Sequence, residues 1–440
     1  TSHTAVLRNF GVTAAAGVLL AYVVTILFIP VALGRVRPPR HSLEGHGDGW
    51  MSRLTEWCVV VSMRHAKVVI AATIAITAGL VWYSRDIVID TRLMEAFQES
   101  DPVVVQTRLI ERELNGVLPI EVMLESPTPG RFDDAEVLNA VYALQRAIET
   151  DPHVLATRSY GDLLRHTWAA YANDPSKLEA PFRSRAQVVQ LASLLEGGRP
   201  DPIAPYVGFE RQHLRLSVLV PDIGSRAALT LGDDIRAMAA THLGDLGDVT
   251  VALSGDAYSG SRGLDSLIRD MATSLALAVV VIFGIMSVLF RSVRMGLISV
   301  PANVIPLVGA AAYMAVRGLP LNTTTVIIFS VALGLAVDDS IHMMARYREE
   351  RLRGLGVDEA MRASGRGSGQ AVIITSVMLA AGMSVMFLSA FNPVRLFGEI
   401  IATTLGVCLL ADLFVLPATL KLFGGRDGGV DVSTAAETGA

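Results

Sequence analysis

The sequence predicts an α-helical membrane bundle of seven spans, one half of a duplicated architecture, with an inserted α+β extracytoplasmic domain of split-βαβ units. Three observations carry this. Long apolar runs recur almost without charge. One interior segment, 85–271, alternates strand and helix patterns. The first and last apolar runs repeat each other without a gap.

Composition sets the class. Of 440 residues, 51% are hydrophobic and 18% charged, and the mean hydropathy is +0.46. Soluble domains carry about 25% charged residues, so an ordinary cytosolic protein and a disordered one are both excluded. A net charge of −5 and a pI near 6.0 offer nothing to a nucleic acid. Cys58 and Cys408 each lie in an apolar run, which leaves neither a disulfide framework nor a cysteine metal cluster.

A spanning helix needs about 20 mostly apolar residues. Such runs occur at Phe10–Gly34, Val68–Tyr83, Ala272–Phe290, Met295–Val316, Gly318–Val337, Gly367–Val394 and Phe397–Leu420. The second is short, but Lys67 can snorkel and Trp82 and Tyr83 suit an interface. The last carries Glu399 and Asp412. Soluble helices alternate polar and apolar faces, and these do not. Orientation follows from basic residues in short loops. Residues 34–67, residues 344–370 and the turn with Arg291 and Arg294 are basic and fall on one face, taken as cytoplasmic. Segment 85–271 falls on the other. The chain has no initiator methionine and no signal peptide, and its start reads as the middle of something longer.

Arg8-Asn9-Phe10-Gly11 opens the first run and Arg395-Leu396-Phe397-Gly398 the last. At equal spacing follow Ala15 and Ala402, Pro30 and Pro417, and Leu33 and Leu420. Parallel repeats about an axis along the membrane normal are a transporter architecture. Residues 1–34 are then the last span of a missing first half. Residues 35–65 form a cytoplasmic linker, 66–84 a span, 85–271 the α+β domain, and 272–424 a five-helix bundle with a charged hairpin at 345–366. Residues 425–440 read as a disordered tail.

Within the α+β segment, Ile87–Ile89, Val117–Leu124, Val154–Arg158, His213–Val220 and Val249–Leu253 read as strands. Asp133–Thr150, Tyr160–Tyr171, Ser184–Leu195 and Arg226–Leu243 read as helices, the first with Val137, Leu138, Val141, Leu144 and Ile148 on one face. The order is a β-α-β unit, a helical middle and a second β-α-β unit. Gly197–Pro202 reads as a hinge between two halves, and Tyr258–Asp270 as a helix running into the third span. In the linker, Trp50, Met51, Leu54, Trp57, Cys58 and Val61 recur at helical spacing, which fits a helix in the membrane interface or one packed on the bundle.

The informative run is Gly334–Tyr347, GLAVDDSIHMMARY. It sets Asp338 and Asp339 at the end of an uncharged stretch, and a charge there costs at least a few kcal/mol, so intramembrane acids are functional candidates. Two adjacent acids in low dielectric do not both ionise readily, and such a group takes and releases protons. His342 lies one helical turn beyond Asp338. Ser330, Gly334, Asp338 and His342 share one stripe, where Gly334 admits a neighbouring helix. The expected proton relay is Asp338, Asp339 and His342, supported by Ser330, Gly334, Thr375, Ser376 and Asp412, with no catalytic group and no metal. A purely structural role would cap the helix or pair the acids with Arg346. Pro301, Asn303 and Pro306 are expected to break the fourth span, and Asn322–Thr325 to cap the fifth.

These features resemble the C-terminal half of a resistance–nodulation–division superfamily exporter, in the MMPL/Patched-like branch that includes lipid and hopanoid exporters. The carriers are Gly334-Leu335-Ala336-Val337-Asp338-Asp339, then Ile341-His342 and Ala345-Arg346-Tyr347, and the Phe-Gly…Pro ends of the first and last spans. The resemblance implies a twelve-span transporter in which these are spans six to twelve, with the acid pair on span ten. It also implies a periplasmic porter domain and proton-coupled export, with no cofactor beyond protons and sodium as an alternative coupling ion. The acid pair stands where drug pumps carry a Lys, and the inserted domain is too short for a funnel that docks an outer-membrane channel. Both departures favour lipid-like cargo. A bacterial inner-membrane location, a homo-oligomer and a periplasmic lipid carrier as partner follow from the same likeness. A non-transporting sterol or lipid sensor, or a protein-export accessory, is the alternative. An intramembrane aspartyl protease using Asp338 and Asp412 fits poorly, because Ala336 and Val337 precede the acid.

Overall fold

The computed structural model describes residues 5–35, 50–196 and 202–424. In chain order, Ala5–Leu33 (α1), Trp50–Arg64 (α2) and Ala66–Ser84 (α3) come first. Pro102–Leu114 (α4), Leu118–Glu125 (β1), Ala135–Ile148 (α5), Ala156–Arg158 (β2), Tyr160–Ala172 (α6) and Arg185–Leu195 (α7) follow. Next come His213–Val220 (β3), Ser225–Leu243 (α8), Thr250–Ser254 (β4), Asp256–Leu289 (α9), Val293–Arg317 (α10) and Thr323–Leu352 (α11). The chain closes with Val357–Gly367 (α12), Gly369–Ser384 (α13), Asn392–Leu410 (α14) and Leu416–Phe423 (α15), the last two joined by a π turn at Ala411–Val415. Two compact units result, residues 1–88 with 267–440, and residues 89–266. The expected linker before residue 50, the proposed hinge at 197–201 and the tail from 425 lie outside the described residues.

Among the described residues, seven stretches are long and apolar enough to cross a membrane: Gly11–Leu33, Ala66–Ser84, Asp256–Leu289, Val293–Arg317, Thr323–Leu352, Gly369–Leu388 and Asn392–Phe423. The protein is a multi-pass membrane protein, mostly helical. The most apolar 18-residue window of α1 is 0% buried within this chain and that of the last span 61%, so hydropathy alone does not say which span packs in the interior. Asp256–Asp270 and the third apolar run form the single helix α9.

The fourth span departs from expectation. Pro301 and Pro306 both lie inside an uninterrupted α10. The helix is packed against α3, α11 and α14, and neighbours of this kind stabilise a helix whose ladder lapses at proline. Asn303 donates through Nδ2 to the Ser299 carbonyl (2.9 Å) on the same helix. The start of α11 is a reciprocal cap, with Asn322 Oδ1 accepting from Thr325 N (3.0 Å) and Thr325 Oγ1 accepting from Asn322 N (2.8 Å). Gly354, at φ 91°, stands in the turn between α11 and α12.

The linker helix α2 rests on the bundle through a stripe of small groups, Ser52, Thr55, Val59 and Ser62, all buried. Trp50, Leu54 and Trp57 remain exposed on its other side. Tryptophan spacing marked the helix; the small residues decide which face is packed.

In the second unit the four strands form one sheet in the order β2-β3-β1-β4, each neighbouring pair antiparallel. Each β-α-β unit is therefore split by a strand of the other. The two β-α-β units share one sheet, because β1 and β3 pair over their full length, Leu118↔Val220 to Glu125↔His213. Alternation puts Ile120, Val122 and Leu124 of β1, with Leu214, Leu216, Val218 and Val220 of β3, on the core face. Helix α5 covers that face with Val137, Leu138, Val141, Leu144 and Ile148, and α8 with Leu231, Ile235, Ala239 and Leu243. The opposite face is polar, where Ser217 donates to Glu121 Oε2 (2.6 Å). Ile87–Ile89 is not a strand of this sheet, and α4 is a helix the pattern did not announce. Its start was nevertheless legible, since Asp101 accepts from Val103 N (2.8 Å) just ahead of Pro102.

Candidate functional site

The site is built where α11, α13 and the α14–α15 span meet. Adjacent residues on a helix point about 100° apart, so only one of Asp338 and Asp339 can face the bundle. Asp339 does, at 7% exposure. Its Oδ2 accepts from Ser376 Oγ (2.9 Å) and its Oδ1 lies 3.5 Å from Thr375 Oγ1, both on α13.

Asp412 enters from the π turn and is fully buried. Its Oδ1 accepts from Ser340 Oγ (2.6 Å), and Cys408 Sγ, one turn earlier, approaches Oδ2 at 3.6 Å. One ligand atom each from Asp339, Cys408 and Asp412 lie within 4.8 Å of one another. Two carboxylates are thus close neighbours in a buried place with neutral donors directed at their oxygens.

The other sequence-derived residues lie elsewhere. Asp338 and His342 are exposed on an adjoining face of α11, with Asp338 Oδ1 3.6 Å from His342 Nε2. Ser330 and Gly334 continue the same exposed stripe. Asp412 therefore faces Asp339 and not Asp338. Arg346 is engaged by Glu349 (3.0 Å) and Glu350 (2.7 Å). Glu399 accepts from Tyr313 and Arg317 at the far end of α10. Sequence reasoning missed Ser340 and Cys408. Ser340 directly follows the acid pair, and Cys408 lies four residues before Asp412, a spacing that puts both groups on one face.

Residues 100–437 match the family described as MMPL family. The chain belongs to the MMPL family. This MMPL chain is 32% identical over 197 residues to putative membrane protein ActII-3 of Streptomyces coelicolor, an alignment covering 43% of this chain and 27% of that one. It is 31% identical over 219 residues to hopanoid transporter HpnN of Burkholderia multivorans, covering 48% and 25%. It is 29% identical over 157 residues to multidrug resistance protein MdtC of Yersinia pestis, covering 35% and 15%. The MMPL chain thus spans well under half the length of these relatives.

Proposed function

We propose that this chain is the C-terminal half of a proton-motive-force-driven secondary transporter that exports a hydrophobic or amphiphilic, lipid-like molecule. In this reading it sits in a bacterial inner membrane, with residues 85–271 as a periplasmic porter domain. The observation that carries it is the buried pairing of Asp339 with Asp412 across two spans, each held by a hydroxyl. Protonation neutralises the pair and lets α11 and the last span repack. The membrane potential supplies about 2.3 kcal/mol per charge per 100 mV, and a pH gradient about 1.4 kcal/mol per unit.

The exposed stripe of Ser330, Gly334, Asp338 and His342 supports the second element of the reading. A carboxylate and an imidazole facing acyl chains cost several kcal/mol. Covered by helices of a preceding half, they become a second, aqueous-linked station of the relay, and Gly334 gives those helices close approach. The hopanoid relative supports a lipid-like cargo, and a periplasmic lipid carrier and a homo-oligomer complete the proposal.

The test is export of a fluorescent lipid from proteoliposomes holding the full-length protein under an imposed pH gradient. Asp339→Asn and Asp412→Asn each abolish gradient-driven export without loss of folded protein. A sodium gradient replaces the pH gradient in a second arm. Undiminished export in the Asp339→Asn, Asp412→Asn double variant would remove the buried pair from the mechanism.

A further inference from the structure

Asp412 does not stand on a regular α-helix. Pro417 has no N–H for the carbonyl four residues before it, so the α-helical ladder lapses there, and Ala411–Val415 forms a π turn. A π turn inserts one residue, which rotates everything before it by about 100° relative to an unbroken helix. The direction of the Asp412 carboxyl depends on that turn. Within it, the Phe414 carbonyl accepts from the Ser62 hydroxyl of the linker helix α2. Ser62 is fully buried.

Helix α2 is itself fixed. Thr55 Oγ1 donates to the Gly365 carbonyl (3.0 Å), and Glu56 accepts from Arg366 Nε (2.8 Å) and Nη2 (2.5 Å). The backbones approach closely, since a Cβ on Gly365 or Gly369 would lie 3.0 Å from Val59 Cγ2 or Thr55 Cβ respectively. The donor to Phe414 is therefore presented from a clamped element.

We propose that Ser62 is a positioning residue for Asp412: its hydroxyl holds the π turn at Phe414 and thereby aims the carboxyl at Ser340 and Asp339. The inference rests on the relay reading above for its consequence in transport, and on the hydrogen bond and the turn for its geometry. The titratable groups facing Asp412 are Asp339 on α11 and Cys408 on its own span, with the Ser340 hydroxyl as hydrogen-bond donor. Ser62 reaches Asp412 only through the backbone.

The experiment reads Asp412 directly. In purified full-length protein, the infrared band of the Asp412 carboxyl group is identified by its loss in Asp412→Asn. Ser62→Thr keeps the donor and adds one methyl group, and Ser62→Val removes the donor at the shape of that threonine, so the two variants differ only in the hydroxyl. The band shifts in Ser62→Val and returns to the wild-type position in Ser62→Thr, while gradient-driven lipid export falls about tenfold in the valine variant alone, equivalent to about 1.4 kcal/mol. A band that is the same in wild type, Ser62→Val and Ser62→Thr overturns the proposal, as does an equal shift in both variants. If the band shifts as expected but Asp412→Asn still exports, Ser62 positions Asp412 and the relay reading alone fails.

Discussion

Gly398 provides the most direct test of how the site is held together. It opens the α14 segment that leads to Asp412, and it lies against α13, which carries Thr375 and Ser376. A Cβ built at Gly398 would stand 2.5 Å from the Met383 carbonyl oxygen and 2.7 Å from Met386 Cβ. Ordinary contact begins near 3.4 Å, so Gly398→Ala must move a backbone oxygen and the start of a side chain by most of an ångström. Overpacking of this kind costs about 1–3 kcal/mol. Alanine also gains roughly 0.5–1 kcal/mol over glycine through helix propensity, which would mask part of the loss. Gly406 on the same helix supplies the control, since a Cβ there meets nothing within 4 Å. Gly406→Ala carries the propensity gain without the clash. The difference in unfolding free energy between the two variants, measured by SDS titration in mixed micelles, is expected to be about 1–3 kcal/mol with Gly398→Ala the less stable. A difference below about 0.5 kcal/mol, within the scatter for well-separated sites, would refute the close crossing of α13 and α14.

Two further outcomes follow from the same kind of reasoning. Gly255, at φ 90°, would place an added Cβ 2.5 Å from the Pro119 carbonyl and 2.8 Å from Glu121 N. Gly255→Ala therefore combines a left-handed backbone, about 1–2 kcal/mol, with a clash against the central strand. Limited proteolysis should detect the α+β unit opening before the bundle, and unchanged protection would contradict the register of β1 and β4. Glu56 is held below the ordinary carboxylate value of 4.5 by hydrogen bonds from Arg366, against an opposing effect of burial and with help from the charges of Arg366 and Arg362. A depressed carboxylate contributes stability above its unfolded value, and that contribution disappears as pH falls through the folded one. The stability gap between wild type and Glu56→Gln should be present at pH 6 and close as the pH is lowered below about 4.5; a gap independent of pH would show that the Arg366 pair does not fasten α2.

The sequence by itself determined the spans, because a hydrocarbon interior tolerates long runs only if they lack charge. It determined most strands and helices of the α+β unit, because half-buried elements repeat with period 2 or 3.6. It also marked Asp338, Asp339, Ser376 and Asp412 as acids and hydroxyls out of place in lipid. Tertiary structure alone decided which of them meet. Which of two adjacent acids points inward depends on where α13 and the last span pack against α11, and that selected Asp339. Its meeting with Asp412, with Ser340 and Cys408 beside them, joins residues far apart in the chain, where no periodicity operates. The repeated Phe-Gly…Pro pattern makes the same point. Gly398 lies under a neighbouring backbone. Pro30 sits inside the uninterrupted α1, and Pro417 follows a π turn. Identical residues at identical spacing acquire different roles, because spacing fixes only position along a helix, while packing fixes what each side of that helix meets.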